Sequence, residues 1–335
     1  MDIRPRESST SRVPDSLDAQ LLQALEIDGR APFSRIAAVL GVSDQTVARR
    51  YRKLVSEGGL RVVAVRDHER LGQEQWMLRL RCAPDGAEAI AAALARRPDT
   101  SWIGLTSGGT EVVCCTRPRS QSDQDELLLG KLPRTPHIVD IRAQQMLHRF
   151  FGGPNGWLIK HGPLAEEQAA ALRQGRPGTD RAEGPLRIAP EDEPLVAALE
   201  RDGRATYPEL QQATGRSESA VKRRLAALLA SGAIYIDIEY DSALVGFHVG
   251  SMLWITAAPW ALDTVGKTLA THAEIAHASA VAGASNIMAT AVARDIPSLY
   301  RYLSGRLGHL DGVQHVETAP FIRRVKQLTY RPFPR

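Results

Sequence analysis

The sequence has few cysteines and no long apolar stretch. Only three cysteines, Cys82, Cys114 and Cys115, occur among 335 residues, which excludes a disulfide-stabilised framework and predicts a reducing cytoplasm as the compartment. No run reaches the roughly 18 uninterrupted apolar residues of a membrane span. Residues 1–15 lack the apolar segment of a signal peptide, so we expect a flexible tail there, no leader and no membrane partner.

A strong excess of charge of one sign is also missing. The 42 Lys and Arg residues nearly balance the 38 Asp and Glu residues, and the net charge of +4 does not by itself imply a nucleic-acid partner. The hydrophobic content of 43% is high enough for folded cores, so a disordered or fibrous protein is excluded. The length corresponds to about two or three average domains.

Residue clusters that would support catalysis or metal binding are sparse. His272 and His277 lie five positions apart without further ligands, so we expect no zinc site. Cys114 and Cys115 are adjacent on a predicted strand and point to opposite faces, which favours a core position over a metal ligand or a nucleophile. The sequence therefore predicts no catalytic residue, no metal and no cofactor.

The main feature of the sequence is an internal duplication. Leu21–Leu60 aligns with Leu195–Ile234 without a gap, and 15 of the 40 pairs are identical. Average composition gives roughly two or three identical pairs by chance. We call the constant spacing between these aligned positions the repeat offset. An offset longer by one position then pairs Met77 with Met252, so each half contains a well-matched unit followed by a diverged one.

The well-matched unit has the pattern of three helices with a short turn before the last. In the first copy we expect a helix that starts near Ser16 or Asp18, a second helix over about 34–40, and a third helix after Gly41-Val42-Ser43. Glycine tolerates the positive φ of such a turn, and Ser43 can cap the third helix. The alternating segment 60–65 predicts a short strand in the position of a wing.

The third helix of each copy is basic. In the first copy four cations face one anion between Ser43 and Lys53, a net charge of +3, and the second copy carries +2. Only a helix-sized element enters the major groove, where its N-terminal turns face the base edges. The alternative is the solvated face of an ordinary surface helix, but the turn, the cap, the apolar spacing and the duplicate together favour double-stranded DNA as partner.

The predicted DNA contacts lie at the start and on the outer side of these two helices. They are Ser43, Gln45, Thr46, Arg49, Arg50 and Lys53 in the first copy and Ser217, Ser219, Ala220, Lys222, Arg223 and Arg224 in the second. Gln45 and Thr46 align with Ser219 and Ala220, so we expect the two helices to read different half-sites. The first unit carries +3 over 16–66 and the second −3 over 190–240, so the first should supply more of the salt-dependent affinity.

These motifs resemble the Lrp/AsnC (feast/famine) family of transcription regulators in both halves. The matching residues of the first copy are Asp28, Gly29, Arg30, Ile36, Ala37, Gly41, Ser43, Val47, Arg50, Leu54 and Gly58. Those of the second are Asp202, Gly203, Arg204, Leu210, Gly215, Ser217, Val221, Arg224, Leu228 and Gly232. The resemblance implies a DNA-binding regulator that is modulated by a small-molecule effector.

The diverged unit has the predicted order βαββαβ of a ferredoxin-like fold in both halves. The expected fold class is therefore α+β, with two winged helix-turn-helix domains, each followed by a ferredoxin-like sensory domain. The expected boundaries are a tail at 1–15, helix-turn-helix units at 16–66 and 189–240, sensory units at 70–149 and 246–331, and a linker with one short helix, 164–173, at 150–188.

The open sheet face of each sensory unit needs a partner, because the two helices cover only the other face. In the resembling family that partner is another copy and effectors bind between the copies, so we expect an intrachain pseudo-dimer that assembles further. The resemblance implies an effector site, for an amino-acid-like ligand, at the turn between the middle strands: Gly108, Gly109, Thr110 and Glu111, and Gly283, Ala284, Ser285 and Asn286. Neither copy keeps the family's Gly-x-x-Asp, so the alternatives are a different small ligand, no ligand, and plain hairpin turns.

Two function classes follow from the sequence. The first is the DNA-binding regulator. The second is an enzyme on the same tandem frame that resembles siroheme decarboxylases, which should carry a cluster of His and Arg in the cleft between the sensory units and does not need basic recognition helices. The sequence keeps the basic helices and has no dense His-Arg motif, so we predict a cytoplasmic regulator and not an enzyme.

Overall fold

The computed structural model describes residues 16–118, 120–174 and 186–329. The expected tail at 1–15 and the end of the expected linker, 175–185, lie outside these residues. Within them the chain forms two helix-turn-helix units and two α/β sensory units in the predicted order. No helix among the described residues is long and apolar enough to cross a membrane.

Each helix-turn-helix unit consists of three helices and one strand. The first contains α1 (Ser16–Ile27), α2 (Phe33–Leu40), α3 (Asp44–Glu57) and β1 (Arg61–Arg66). The second contains α7 (Glu193–Arg201), α8 (Tyr207–Thr214), α9 (Glu218–Ser231) and β6 (Ile234–Glu239). Gly41 and Gly215 end α2 and α8 with φ of 67° and 66°, which a glycine adopts without strain. Both tight turns before the third helix are therefore present as predicted.

The strand that follows each third helix does not form a separate wing. β1 pairs with β6 in an antiparallel ribbon that joins the two helix-turn-helix units. The sequence predicted alternation in β1, but Val62, Val63, Ala64 and Val65 are all buried. Ala64 packs into the core of the second unit and Val62 into that of the first, while Val63 and Val65 pack with Leu328 on the other face.

Each sensory unit has the predicted βαββαβ order. The first contains β2 (Trp76–Cys82), α4 (Ala87–Ala95), β3 (Thr100–Thr106), β4 (Glu111–Thr116), α5 (Gln121–Asp125) and β5 (Ile138–Phe151). The second contains β7 (Val249–Ala257), α10 (Leu262–Thr271), β8 (Ile275–Val281), β9 (Ile287–Ala293), α11 (Ile296–Tyr302), β10 (Val313–Pro320) and the short strand β11 (Arg323–Lys326). Helical turns continue α5 to Arg134 and α11 to Leu307.

The two sensory units share strands. The sheet order is β10-β7-β9-β8-β5-β2-β4-β3-β11. The first half of β5 pairs with β2 and its second half with β8, while β11 reaches back to pair with β3. The faces not covered by helices meet in one buried cluster that includes Met77, Cys115, Met252, Trp254 and Met288. The second half of the chain thus provides the partner face that the first half requires.

The expected linker is largely folded. β5 extends to Phe151, and Trp157, Leu158 and Leu172 are only 7%, 1% and 0% exposed within the core of the first helix-turn-helix unit. The short helix α6 spans Glu166–Arg173, which agrees closely with the predicted 164–173. Burial of these apolar side chains against α1 explains why this segment packs instead of spanning freely between the two halves.

Candidate nucleic-acid interface and central cavity

The third helix of the first unit and its cap present half of their six predicted DNA contacts fully to solvent. Gln45 and Arg49 are exposed, whereas Thr46 and Lys53 are half-buried. Ser43 caps the helix, because its Oγ accepts a hydrogen bond from the Thr46 backbone N–H at 3.2 Å. The cap fixes the start of α3, so the N-terminal turns of the helix project outward together.

The third helix of the second unit has a different surface. Ser217, Ser219 and Arg223 are exposed and Ala220 is half-buried. Lys222 is exposed but forms an ion pair with Glu218 of the same helix at 2.6 Å. The available positive charge of α9 is therefore smaller than that of α3, as the sequence predicted.

Two of the predicted DNA contacts serve their own unit. Arg50 Nη1 lies 3.1 Å from Asp18 Oδ1, and Arg224 Nε donates to Asp192 Oδ1 at 2.8 Å. The repeat offset relates both members of one pair to those of the other, so the duplication has kept this ion pair. Each arginine ties the third helix to the start of the first helix.

A reciprocal pair of arginines joins the two helix-turn-helix units. Arg30 donates from Nη1 to Gly203 O at 2.6 Å and from Nη2 to Ala205 O at 3.1 Å. Arg204 makes the equivalent bonds to Gly29 O at 2.6 Å and to Ala31 O at 3.0 Å. Sequence reasoning missed this function of the repeated Asp-Gly-Arg motif, although the repeat itself was visible.

The glycines of the Asp-Gly-Arg motif allow the two helix-turn-helix units to approach each other closely. A Cβ on Gly29 would lie 2.4 Å from Ile236 Cγ2, and one on Gly203 would lie 2.9 Å from Val63 N. No larger residue fits at either position without moving the β1–β6 ribbon. The orientation of α3 relative to α9 is therefore set by a packed, twofold-like joint.

The two turns predicted to bind an effector are closed by their own side chains. The Glu111 carboxylate accepts hydrogen bonds from Arg79 Nε at 2.8 Å and from Thr106 Oγ1 at 2.9 Å. The Asn286 side chain exchanges two hydrogen bonds of 2.8 Å with the Ala257 backbone. None of the eight predicted residues lines either of the two cavities of this fold that we discuss: Gly108, Gly109, Thr110, Glu111, Gly283, Ala284, Ser285 and Asn286.

A cavity of about 200 Å³, which we call the central cavity, lies between the two sensory units and the β1–β6 ribbon. Its lining includes the basic residues Arg117, Arg149, His277, Arg324 and Lys326. Burial lowers the pKa of His277 to about 3, so this imidazole is neutral at physiological pH. The expectation that the cleft between the sensory units lacks a His-Arg cluster was therefore wrong, because separate strands bring these residues together in the folded chain.

Three family profiles match the chain. The AsnC-type helix-turn-helix domain matches residues 15–55, a winged helix-turn-helix DNA-binding domain matches 195–235, and the Lrp/AsnC ligand binding domain matches 251–330. The chain therefore carries an AsnC-type helix-turn-helix domain and an Lrp/AsnC ligand binding domain. Both DNA-binding units and the second sensory unit are thus represented by family domains, in tandem within one chain.

Individual relatives match less than half of this Lrp/AsnC chain. An uncharacterised HTH-type transcriptional regulator of Pyrococcus furiosus is 29% identical over 126 residues, which cover 37% of this chain and 85% of the relative. The HTH-type transcriptional regulator LrpA of Pyrococcus horikoshii is 27% identical over 136 residues, or 40% and 96% of the two chains. These matches span 37% and 40% of this chain, so the chain has room for two such units.

The chain is similar along nearly its whole length to solved structures of one fold. The siroheme decarboxylase NirDL covers 96% of this chain and 95% of its own, with a TM-score of 0.61 and 14% sequence identity. At this identity the likeness demonstrates a common fold. The tandem arrangement of this Lrp/AsnC chain is therefore a known architecture.

Proposed function

We propose that this protein is a sequence-specific regulator in which two helix-turn-helix units of one chain read non-identical half-sites. The observation that carries this proposal is the reciprocal Arg30 and Arg204 joint, which holds two exposed basic helices in one fixed arrangement. A fixed distance between two recognition helices is what recognition of spaced half-sites requires.

The exposed side chains supply the proposed contacts. Arg49 and Arg223 have no acidic partner within 4 Å among the described residues, so their charges are available for phosphates or guanine edges. Arg50 and Arg224 position the helices through their ion pairs. The other proposed contacts are Ser43, Gln45, Thr46, Lys53, Ser217, Ser219, Ala220 and Lys222.

Selection of bound fragments from genomic DNA, followed by footprinting, tests this proposal. We expect Arg49→Ala to weaken protection in one half of the selected site and Arg223→Ala to weaken it in the other. Arg201→Ala, an exposed substitution at the end of α7, is the matched control and should leave the footprint unchanged. Equal weakening of every base position by both variants would contradict two distinct readers.

A small-molecule effector between the sensory units completes the proposed regulator. The shared strands β5 and β11 link the two sensory units, and the β1–β6 ribbon lies against them, so a ligand between them can alter the DNA-binding joint. We also propose that the pseudo-dimers assemble into homo-oligomers. Light scattering with and without operator DNA tests this assembly, and a mass of one chain under both conditions would contradict it.

A second candidate function is an enzyme that acts on a tetrapyrrole. NirDL, a siroheme decarboxylase, has also been solved with an iron-uroporphyrin III analogue, and Arg117 and Arg324 in the lining of the central cavity favour a carboxylate-bearing ligand here. The exposed basic recognition helices favour the regulator. Incubation with siroheme, with chromatographic detection of decarboxylated product, separates the two functions: product formation supports the enzyme, and its absence together with a specific DNA complex supports the regulator.

A further inference from the structure

A second cavity, of about 340 Å³, lies where the first helix-turn-helix unit meets the first sensory unit, and we call it the joint cavity. Its walls come from β1, from the segment between β1 and β2, and from β3. The residue that follows β4 and the chain after β11 complete them. The joint cavity thus touches the DNA-binding ribbon and the sensory sheet at the same time.

The duplication gives this cavity a structural counterpart in the second half. Gln73 N donates to His68 O at 2.8 Å in the loop that follows β1. In the loop that follows β6, Phe247 N donates to Ser242 O at 3.0 Å. The repeat offset relates the donors and the acceptors of these two bonds, so Gln73 and Phe247 occupy equivalent positions.

The sheets show the same equivalence. Arg117 N donates to Asp99 O at 2.7 Å at the end of β4, and Val292 N donates to Glu274 O at 2.7 Å near the end of β9. The offset here is the longer one that also pairs Met77 with Met252. Arg117 and Val292 are therefore equivalent wall positions of the two sites.

In the second half, the counterpart site is partly filled by the chain itself, and the remaining space belongs to the central cavity. The Trp157 ring packs on Phe247 with centroids 4.8 Å apart, and its Nε1 donates to Ala273 O at 2.9 Å. The Trp157 backbone N–H donates to the Glu26 carboxylate at 3.0 Å. The equivalent of Glu26 is Glu200, which lines the joint cavity. The segment after β5 thus packs into the site whose equivalent in the first half is left open by the described residues.

The walls differ in chemistry as well as in occupancy. Around Trp157 the second half places Phe247, Tyr240, Val292 and Ala276. The equivalent positions around the joint cavity are polar or charged: Gln73, Arg66, Arg117 and Ser101. The site that Trp157 partly fills in one copy therefore has mainly apolar walls, whereas the equivalent site in the other copy has polar walls.

Buried polar atoms of the joint cavity lack partners. Six buried side-chain polar atoms of the described residues have no hydrogen-bond partner, and three of them belong to residues that line this cavity: His68 Nδ1, Ser101 Oγ and Arg117 Nε. Unpaired buried polar groups destabilise a fold, so a native protein retains them only where something else satisfies them. These buried atoms make the surroundings of the joint cavity polar.

The charged residues of the lining indicate the sign of the charge that a ligand there would carry. Arg66 is neutralised by Glu193 and Glu200, whereas Arg117 and Lys326 have no carboxylate within 4 Å among the described residues. Lys326 is 5% exposed and donates only to neutral oxygens, including Arg97 O at 2.6 Å. A buried and a half-buried cation without a counter-ion favour an anion.

We propose that the joint cavity binds a small metabolite with a carboxylate or phosphate group, held by Arg117 and Lys326 with Ser101 as an additional hydrogen-bond partner. This inference rests on the proposed regulator and goes beyond it, because it adds a ligand site between β1 and the sensory sheet to the effector site proposed between the sensory units. A ligand there contacts the ribbon that sets the orientation of α3 and α9, so its binding would alter DNA affinity.

The chain's own residues 330–335 are the competing occupant. They follow Thr329, which lies in the cavity wall, and they carry Arg331 and Arg335. Two additional cations next to Arg117 and Lys326 are electrostatically unfavourable, so the lining favours a separate anion.

Calorimetric titration of the full chain tests the proposal, with phenyl phosphate and benzoate as separate probes. We expect at least one probe to bind saturably, which also distinguishes a phosphate from a carboxylate ligand. Arg117→Val, which installs the second-half residue, should weaken binding at least tenfold. Arg301→Gln, at an exposed site on α11, should leave binding unchanged.

A second variant and a DNA assay separate the alternatives. Arg117→Lys keeps the charge and should bind better than Arg117→Val, with folding of each variant checked by circular dichroism. Absence of saturable binding to the wild-type chain, or equal binding by Arg117→Val, would overturn the proposal. Binding only after removal of 330–335 would assign the cavity to the chain itself and also overturn it. Saturable binding without any specific DNA complex would keep the site and contradict the proposed regulator.

Discussion

Arg204→Ala should loosen the joint between the two helix-turn-helix units. The guanidinium donates to Gly29 O and Ala31 O at 2.6 and 3.0 Å, and it stacks 4.6 Å from the Phe33 ring centroid. Hydrogen bonds that involve a charged group contribute about 1.5–3 kcal/mol each, and a cation–π contact about 0.5–2 kcal/mol. Because removal of the side chain also relieves its desolvation, we expect the free energy of unfolding to fall by about 2–4 kcal/mol.

Urea unfolding followed by circular dichroism measures this loss, and a gel-shift titration measures its effect on DNA. We expect binding to a two-half-site operator to weaken more than binding to a single half-site, because the spacing of α3 and α9 is no longer fixed. Arg201 is exposed, so the control variant Arg201→Ala should change the free energy of unfolding by less than about 0.5 kcal/mol. Wild-type stability and operator affinity in Arg204→Ala would refute the idea that this arginine sets the spacing.

Three further predictions concern single residues. Ser43→Ala should cost about 1 kcal/mol in thermal unfolding and Ser217→Ala less, since only Ser43 makes a side-chain cap bond; equal costs would contradict this. Trp157→Ala should cost about 3–5 kcal/mol in urea unfolding, because the ring is 7% exposed, and a loss below about 1 kcal/mol would show that the segment does not pack as described. Burial raises the pKa of Glu26 from 4.5 to about 8, so its stabilising effect is complete below about pH 4.5 and is lost as the pH rises through about 8. Glu26→Gln should therefore flatten the fall in melting temperature between pH 5 and 9, and an unchanged slope would contradict the assignment.

The local features of the fold could be predicted from the sequence. Ser43 and Gly41 determine the turn before α3 through capping and a positive φ, and both effects act over a few residues. The repeat offset then predicted the second unit as well. Periodicity also gave the βαββαβ order, because strand and helix patterns are read within one element.

The joints between units could not be predicted in the same way. Arg30 and Arg204 lie in different halves of the chain, and their acceptors are backbone carbonyls, which carry no residue-type signal. The packing of Trp157 depends on a space that exists only after both halves have folded. The burial of Val63 and Val65 likewise depends on β6 and Leu328.

The basic residues of the central cavity illustrate the same limit. Arg117, Arg149, His277 and Arg324 come from different parts of the chain, so no sequence window contains the cluster. Arg50 shows the opposite case, in which a local pattern predicted a DNA contact and the structure pairs the side chain with Asp18. The sequence of a charged helix face therefore does not show which of its side chains form ion pairs, and the folded structure is needed to identify them.

The most direct test of the central claim is a salt titration of operator binding by the full chain. We predict a sequence-specific complex whose affinity falls linearly with salt on logarithmic axes, with the slope reduced by about one in Arg49→Ala through loss of a phosphate contact. The absence of a sequence-specific complex at every salt concentration would contradict the account.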